Sequence, residues 1–240
     1  MERLALDRWA SPWLRHQHVT RYRWATRFAK GERVLDAACG TGYGARLMKD
    51  EGAARVTAVD VSAEAFEGLR RLGAAPGLHL ARGDVTRLPA IDGTYDLYTC
   101  FETIEHVDGD EALLREARRV LREGGRFVCS TPNRELLSPG HRLDDRPENP
   151  YHVREYSIPE FRDLLESFFS EVELYGQTWF SERHRRKLAR AGARSNLGAV
   201  RLHQIRNILG LPFERASRHE PCPLDRDGVP EVVIGVCRIS

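Results

Sequence analysis

The stretch that most constrains this chain is Val34-Leu35-Asp36-Ala37-Ala38-Cys39-Gly40-Thr41-Gly42-Tyr43-Gly44, an apolar run that ends in a carboxylate and passes into a glycine-rich turn. Val34, Leu35, Ala37 and Ala38 supply apolar side chains to both faces of a short buried strand. Gly40, Gly42 and Gly44 permit a tight turn and let a ligand lie against the backbone without interference from a Cβ atom. The residues from Ala45 to Asp50 have helix-forming composition. Strand, glycine turn and helix, in that order, open an α/β sheet around a nucleotide-like ligand.

Asp36 narrows the ligand. A dinucleotide brings a pyrophosphate, which favours a helix N-terminus free of nearby acids. An acid at the end of the strand repels phosphate and accepts a hydrogen bond from an ammonium group, which favours a zwitterion such as S-adenosylmethionine over NAD. With that residue in place, VLDAACGTGYG resembles the first motif of class I S-adenosylmethionine-dependent methyltransferases. The resemblance implies an α/β fold: a Rossmann-like, seven-stranded, mostly parallel sheet with helices on both faces and an antiparallel last strand.

The following segments repeat the pattern. Arg55–Asp60 reads as a second strand ending in an acid, with Ser62 as a helix N-cap. Asp60 lies at the spacing from the glycine turn at which an acid binds ribose hydroxyls. A helix from Glu64 to Leu72 leads to a third strand from Leu78 that closes on Gly83-Asp84-Val85. By the resemblance, Asp84 accepts from the adenine amino group and the Val85 amide donates to the ring. Three strand ends thus set Asp36, Asp60 and Asp84 along the rim where open α/β sheets bind ligands. Before the turn, residues 18–31 read as a helix with Val19, Tyr22, Ala25 or Thr26, and Ala29 on one face. That helix either covers the cofactor, with Tyr22 as a contact, or simply packs over the sheet edge.

Tyr95–Phe101 is the fourth strand, with Phe101 placed to touch the cofactor, and a helix over residues 110–122 stops at Gly124-Gly125. Arg126–Pro132 is the fifth strand, and Ser157 caps a helix reaching Phe169. Residues 171–179 and 231–238 alternate as the last two strands. About 50 residues lie between them, far beyond a hairpin loop. The chain therefore reads as one domain over 1–240, with a helical cap over 1–30 and a helical insertion over 180–230.

A second constellation follows the fourth strand in Phe101-Glu102-Thr103-Ile104-Glu105-His106-Val107. One helical turn there would bring Glu102, Glu105 and His106 to a common face, where two carboxylates call for a cation between them. His152 follows the fifth strand, over the same rim. Two carboxylates and two imidazoles suit Mg, Mn, Fe, Co or Zn. The pattern resembles two groups of metal-dependent O-methyltransferases, those of ubiquinone biosynthesis and those acting on the 3′-terminal 2′-hydroxyl of small RNA. His152-Val-Arg-Glu-Tyr-Ser-Ile-Pro-Glu-Phe161 echoes a motif of the second group, and the resemblance carries over Glu102, Glu105, His106 and His152 as ligands. The longer pattern, including NPYHVREYS, is also similar to bacterial methyltransferases of glycan or natural-product tailoring. Metal-free methyltransferases share the Glu-His pair, so the catalytic set of Glu105, His106 and His152 is open to a metal or to a general-base role.

The acceptor implied is a hydroxyl of a small molecule or carbohydrate. Tyr156 in place of a tryptophan weighs against RNA, yet Glu182–Arg194 is dense in positive charge, so an RNA 3′-terminal 2′-O-methyltransferase stays as an alternative. A non-catalytic cofactor-binding partner subunit is another, and the basic segment could also be a solvated lid or an oligomer contact. A net charge of +2 argues against nucleic-acid binding by the chain as a whole. No run of 18 apolar residues and no cleavable leader pattern occur, which makes a cytoplasmic location the expectation. The five cysteines lack C-x-x-C spacing and read as free thiols rather than as disulfides or a zinc site.

Overall fold

The computed structural model describes residues 12–73, 75–183, 186, 220–224 and 228–239. Its strands are β1 (Arg33–Ala37), β2 (Arg55–Asp60), β3 (Leu78–Arg82), β4 (Tyr95–Phe101), β5 (Leu121–Pro132), β6 (Glu171–Phe180), β7 (Cys222–Pro223) and β8 (Val229–Arg238). They form one sheet in the order β3-β2-β1-β4-β5-β8-β6-β7. Strands β1 to β5 pair in parallel. β8 enters antiparallel between β5 and β6.

The expected sheet is present with eight strands rather than seven. The extra one is the two-residue β7, which pairs with Tyr175 and Gly176 at the edge of β6. It comes from the segment read as a helical insertion, and no alternating pattern announces a strand so short. Most of that insertion, like residues 1–11 of the expected N-terminal cap, lies outside the described residues.

Successive side chains of a strand face opposite ways, and here both faces are apolar. Val34, Leu97, Val128 and Ile234 meet α1 (Pro12–Ala25), α2 (Tyr43–Asp50) and α3 (Ala63–Leu72) on one side. Leu35, Tyr98, Phe127 and Val233 meet α4 (Asp110–Val120) and α6 (Ile158–Glu166) on the other, and the one-turn helix α5 (Arg134–Leu137) packs Leu136 with Phe180 and Val229. The local signals behave as the sequence suggests. The Ser62 hydroxyl accepts from the Ala65 amide at the start of α3, and Ser157 and Glu160 form a capping box at α6.

The helix expected over 18–31 is α1 followed by a 3₁₀ turn over Thr26–Phe28, and the helix expected to reach Phe169 ends at Glu166. Two further differences bear on the site. α4 ends at Val120, and β5 begins at Leu121, which pairs with Tyr95 before the register shifts to Leu97 against Arg126. Gly124, at φ +71°, makes the irregularity between those two pairings. The second difference concerns residues 102–106: the turn after β4 is a single 3₁₀ turn over Ile104–His106, and Glu102 stands before it in a left-handed conformation with φ +49°. Glu102 therefore does not share a helical face with Glu105 and His106.

Candidate functional site

The site is built on the C-terminal ends of β1, β2, β4 and β5. At β1, Asp36 is fully buried, and its Oδ1 accepts from the Tyr22 hydroxyl at 3.0 Å and the Thr99 hydroxyl at 2.9 Å. Its Oδ2 is buried with no partner. Burial pushes the carboxyl up to about 7 against those two hydrogen bonds. A buried, unsatisfied carboxylate oxygen is costly unless a ligand completes it.

The glycines after β1 divide into two kinds. Gly40 has φ +54°, and a Cβ there would meet nothing within 4 Å, so this backbone borders open space. At Gly42, φ is +77° and a Cβ would lie 2.2 Å from the Leu69 side chain; at Gly44 it would lie 2.1 Å from the Tyr22 ring. The expectation that all three leave room for a ligand holds for Gly40 alone, because the other two leave room for α3 and α1.

Asp60 joins this turn directly. Its Oδ2 accepts from the Gly40 amide and its Oδ1 from the Ser62 amide, both at 2.9 Å. Each oxygen keeps a second lone pair for a hydroxyl. Asp84 is exposed, and its Oδ1 accepts from both the amide and the hydroxyl of Thr86, while the Val85 side chain enters the core. Tyr22 and Phe101 meet edge to face with centroids 4.9 Å apart, and Tyr22 meets Tyr43 at 5.2 Å. α1 thus packs its Tyr22 over the end of β1 and against Phe101 at the end of β4.

Beyond β4, the structure brings together three of the four residues proposed as ligands. Glu105, His106 and His152 each offer an atom within 4.8 Å of the others, the only such group among the described residues. The His106 and His152 rings meet at 4.9 Å. Glu105 is buried, accepts from the Thr131 hydroxyl at 3.1 Å, and places Oε1 4.0 Å from His106 Nε2. Burial, reinforced by the Glu102 charge, holds its carboxyl well above the usual range. The Glu105 carbonyl accepts from the Val153 amide at 2.7 Å, which ties the His152 loop to the 3₁₀ turn.

The hydrogen bonds settle the tautomers. His106 Nδ1 lies 2.9 Å from the Tyr151 carbonyl, which only accepts, so Nδ1 carries the proton and Nε2 is the basic nitrogen. Asn149 Oδ1 accepts from the Tyr151 amide, which turns its Nδ2 to donate to His152 Nε2 at 2.9 Å. His152 Nδ1 then donates to Glu155 Oε1 at 2.5 Å.

Glu102 is drawn elsewhere. Its Oε1 accepts from the Ser130 hydroxyl at 2.7 Å and pairs with Arg21 Nη1 at 2.9 Å. Arg21 was invisible as a site residue in the sequence, where it is one arginine among several on a helix. So were Gln17 and Gln177, which join the same buried network: Gln17 donates to Thr178 Oγ1 and Glu231 Oε2, and Gln177 donates to the Gln17 carbonyl. Their sequence separations exceed 150 residues, and no local pattern encodes such pairs.

Fold and site define an α/β protein with an acid-lined glycine turn for an adenosyl ligand and a Glu-His cluster beside it. Residues 35–129 match the family model described as a methyltransferase domain. The chain belongs to the class I S-adenosylmethionine-dependent methyltransferases. A protein of Mycobacterium tuberculosis named as a probable S-adenosylmethionine-dependent methyltransferase is 33% identical over 202 residues, covering 84% of this chain and 69% of its own. A similarly named protein of Mycolicibacterium smegmatis is 40% identical over 161 residues, covering 67% of this chain but only 60% of its own length, so the chain spans less than two thirds of that relative. Among solved structures, the complex of a Haloferax volcanii methyltransferase with the Trm112 methyltransferase activator is similar at TM-score 0.61 and 19% identity, over 93% of this chain and 90% of that one. That likeness is one of fold.

Proposed function

We propose that this protein transfers the methyl group of S-adenosylmethionine to a hydroxyl of a small molecule or sugar. The observation that carries the reading is the placement of His106: its basic Nε2 belongs to a cluster that directly follows the strand end carrying Phe101. When bound, the cofactor supplies an electrophilic methyl group on a sulfonium centre.

The chain's own residues supply the rest. Asp36 Oδ2 holds the ligand's ammonium group, Asp60 holds its ribose beside Gly40, Asp84 and Val85 take the adenine, and Tyr22 and Phe101 flank it. Orienting the two reactants can supply ~7 kcal/mol or more of the barrier. His106 Nε2 takes the hydroxyl proton as the oxygen–carbon bond forms and the sulfur–carbon bond breaks. The Tyr151 carbonyl keeps the tautomer and accepts from the Nδ1–H of the resulting imidazolium.

A second reading has its own support, the approach of Glu105, His106 and His152 within 4.8 Å. These three suit Mg, Mn, Fe, Co or Zn, and the carbonyl behind His106 and carboxylate behind His152 match the outer partners that metal-bound imidazoles use. A metal there would lower the pKa of the accepting hydroxyl and select acceptors with two adjacent oxygens. The fit is incomplete, since Asn149 engages His152 Nε2 and Arg21 engages Glu102. The RNA reading depends on the basic insertion, most of which lies outside the described residues.

The deciding experiment measures cofactor binding by calorimetry, then release of S-adenosylhomocysteine with a panel of catechols and sugar diols. NAD preferred to S-adenosylmethionine sinks the proposal. Full turnover by protein shown metal-free by elemental analysis removes the metal reading and leaves His106 as base. Loss of turnover restored by one divalent ion reverses that outcome.

A further inference from the structure

Arg21 is the most deeply buried cation in the described residues, with no measurable exposure. A guanidinium has five N–H donors in a fixed plane. Nε donates to Gln177 Oε1 at 2.9 Å, and Nη1 divides between Ser130 Oγ at 2.8 Å and Glu102 Oε1 at 2.9 Å. Nη2, with two N–H groups, is buried and has no partner.

Two more orphaned polar atoms lie around the same aromatic group. Asp36 Oδ2 and the Tyr43 hydroxyl are both buried and unpartnered. Tyr22 connects all three: it follows Arg21 in α1, donates to Asp36 Oδ1, and packs edge-on to Tyr43. The Arg21 guanidinium lies 5.8 Å from the centroid of Phe101, and Tyr22 packs against that same ring. The large majority of buried side-chain polar atoms in folded proteins have a partner, and of the seven without one among the described residues, three belong to residues around Tyr22. Here an unpartnered guanidinium nitrogen, an unpartnered carboxylate oxygen and an unpartnered hydroxyl come from residues around Tyr22 and Phe101, and the charges of Arg21 and Asp36 both reach the Tyr43 hydroxyl. Their chemistry is the complement of an amino acid: guanidinium for carboxylate and carboxylate for ammonium.

We propose that Arg21 binds the carboxylate at the amino-acid end of S-adenosylmethionine through Nη2, opposite Asp36 on the ammonium group, with the Tyr43 hydroxyl as a further donor to that carboxylate. Nη1 meanwhile keeps Glu102 and Ser130, so one guanidinium holds the cofactor and the residue that follows β4 in a single ionic array. α1 is then a recognition element as well as a packing helix. The inference rests on the cofactor assignment made above and adds a residue and a ligand group to it.

Calorimetry on the full chain with two ligands separates this role from a structural one. 5′-Methylthioadenosine has the adenosyl group but no amino-acid end. Arg21→Gln is expected to weaken S-adenosylmethionine binding about 10- to 100-fold, as loss of a charge-assisted pair requires, and to leave 5′-methylthioadenosine binding within about twofold. Equal loss for both ligands makes Arg21 structural and overturns the inference, as does unchanged S-adenosylmethionine affinity. The ligand-side version needs no variant and stands if Arg21→Gln fails to fold. Wild-type protein should bind decarboxylated S-adenosylmethionine at least about tenfold more weakly than S-adenosylmethionine, and equal affinities overturn the inference. Wild-type protein that binds none of the three ligands fails at the cofactor assignment itself, an outcome distinct from binding without a carboxylate preference.

Discussion

The two halves of the rim hold their polar groups by different means. In the half formed by β1, β2 and the turn after β3, two carboxylates are pinned by backbone amides, Asp60 by Ser62 and by Gly40 and Asp84 by Thr86, while Asp36 is held by the Tyr22 and Thr99 hydroxyls. In the half formed by β4, β5, β6 and β8, the polar groups are held by side chains from distant segments. Arg21 reaches Gln177 across 156 residues, and Gln17 reaches Glu231 across 214. The Arg21 and Gln17 network exists only once α1 and the antiparallel strands are docked, and the Glu105, His106 and His152 cluster beside it is tied to β5 and the 149–155 loop. The Asp60 and Asp84 contacts are therefore local to the β1–β3 segment, and those of Asp36 and Arg21 depend on the assembled fold.

Mutations can break this division. The largest expected effect is at His106. His106→Ala should lower turnover by about 10²- to 10⁴-fold, the range for a general base, while S-adenosylmethionine affinity stays within about twofold by calorimetry. A matching loss of cofactor affinity would merge the two halves into one site. Next is Gly42→Ala, whose Cβ would enter the Leu69 side chain from a backbone at φ +77°. It should cost about 1–3 kcal/mol of stability by overpacking and strain, read by urea unfolding. A variant as stable as the parent would show that α3 yields at that contact.

The pH dependence tests the cofactor half alone. The Asp36 carboxyl is raised from its ordinary value to about 7 by burial, so the ligand-free protein holds that proton below pH 7. A ligand ammonium group favours the ionised form, so binding below pH 7 must release the proton. S-adenosylmethionine affinity should therefore fall with decreasing pH, by up to about tenfold per unit between roughly pH 7 and 5. The same sign applies to folding: the native state binds more protons than the unfolded chain between about pH 4 and 7, so this carboxyl lowers stability as pH rises through that window. Asp36→Asn should flatten both slopes, and an unchanged binding slope would assign the titration to another group. The smallest effect is expected at Ser157→Ala, which removes half of the capping box of α6 and should cost about 1 kcal/mol in thermal unfolding. Cofactor affinity should not change, because α6 packs on the face of the sheet opposite α1.

Legibility followed the same division. Val34-Leu35-Asp36 and the glycines announce β1 and its turn through composition, and Tyr95–Phe101 appears with the predicted bounds. The spacing that singles out Asp60 puts it at a strand end beside Gly40, because a βαβ unit fixes the distance between strand ends. The reading of Glu102, Glu105 and His106 as one face assumed an α-helical turn. The chain instead makes a 3₁₀ turn after a left-handed Glu102, and the Arg21 charge and the Ser130 hydroxyl decide where Glu102 points.

By itself the sequence determined the parallel α/β sheet, its acid-tipped strand ends and the glycine turn, because these rest on periodicity, backbone freedom and contacts within a few tens of residues. Only the tertiary structure decided that Gly42 and Gly44 serve helix packing and that Glu102 belongs to Arg21. It alone decided that His106 and His152 meet over the β4 end with their tautomers set by Tyr151, Asn149 and Glu155. The glycine outcomes depend on how α1 and α3 pack against the turn, and the polar ones on which distant side chain reaches a buried polar atom, because buried polar atoms must find partners wherever the fold supplies them.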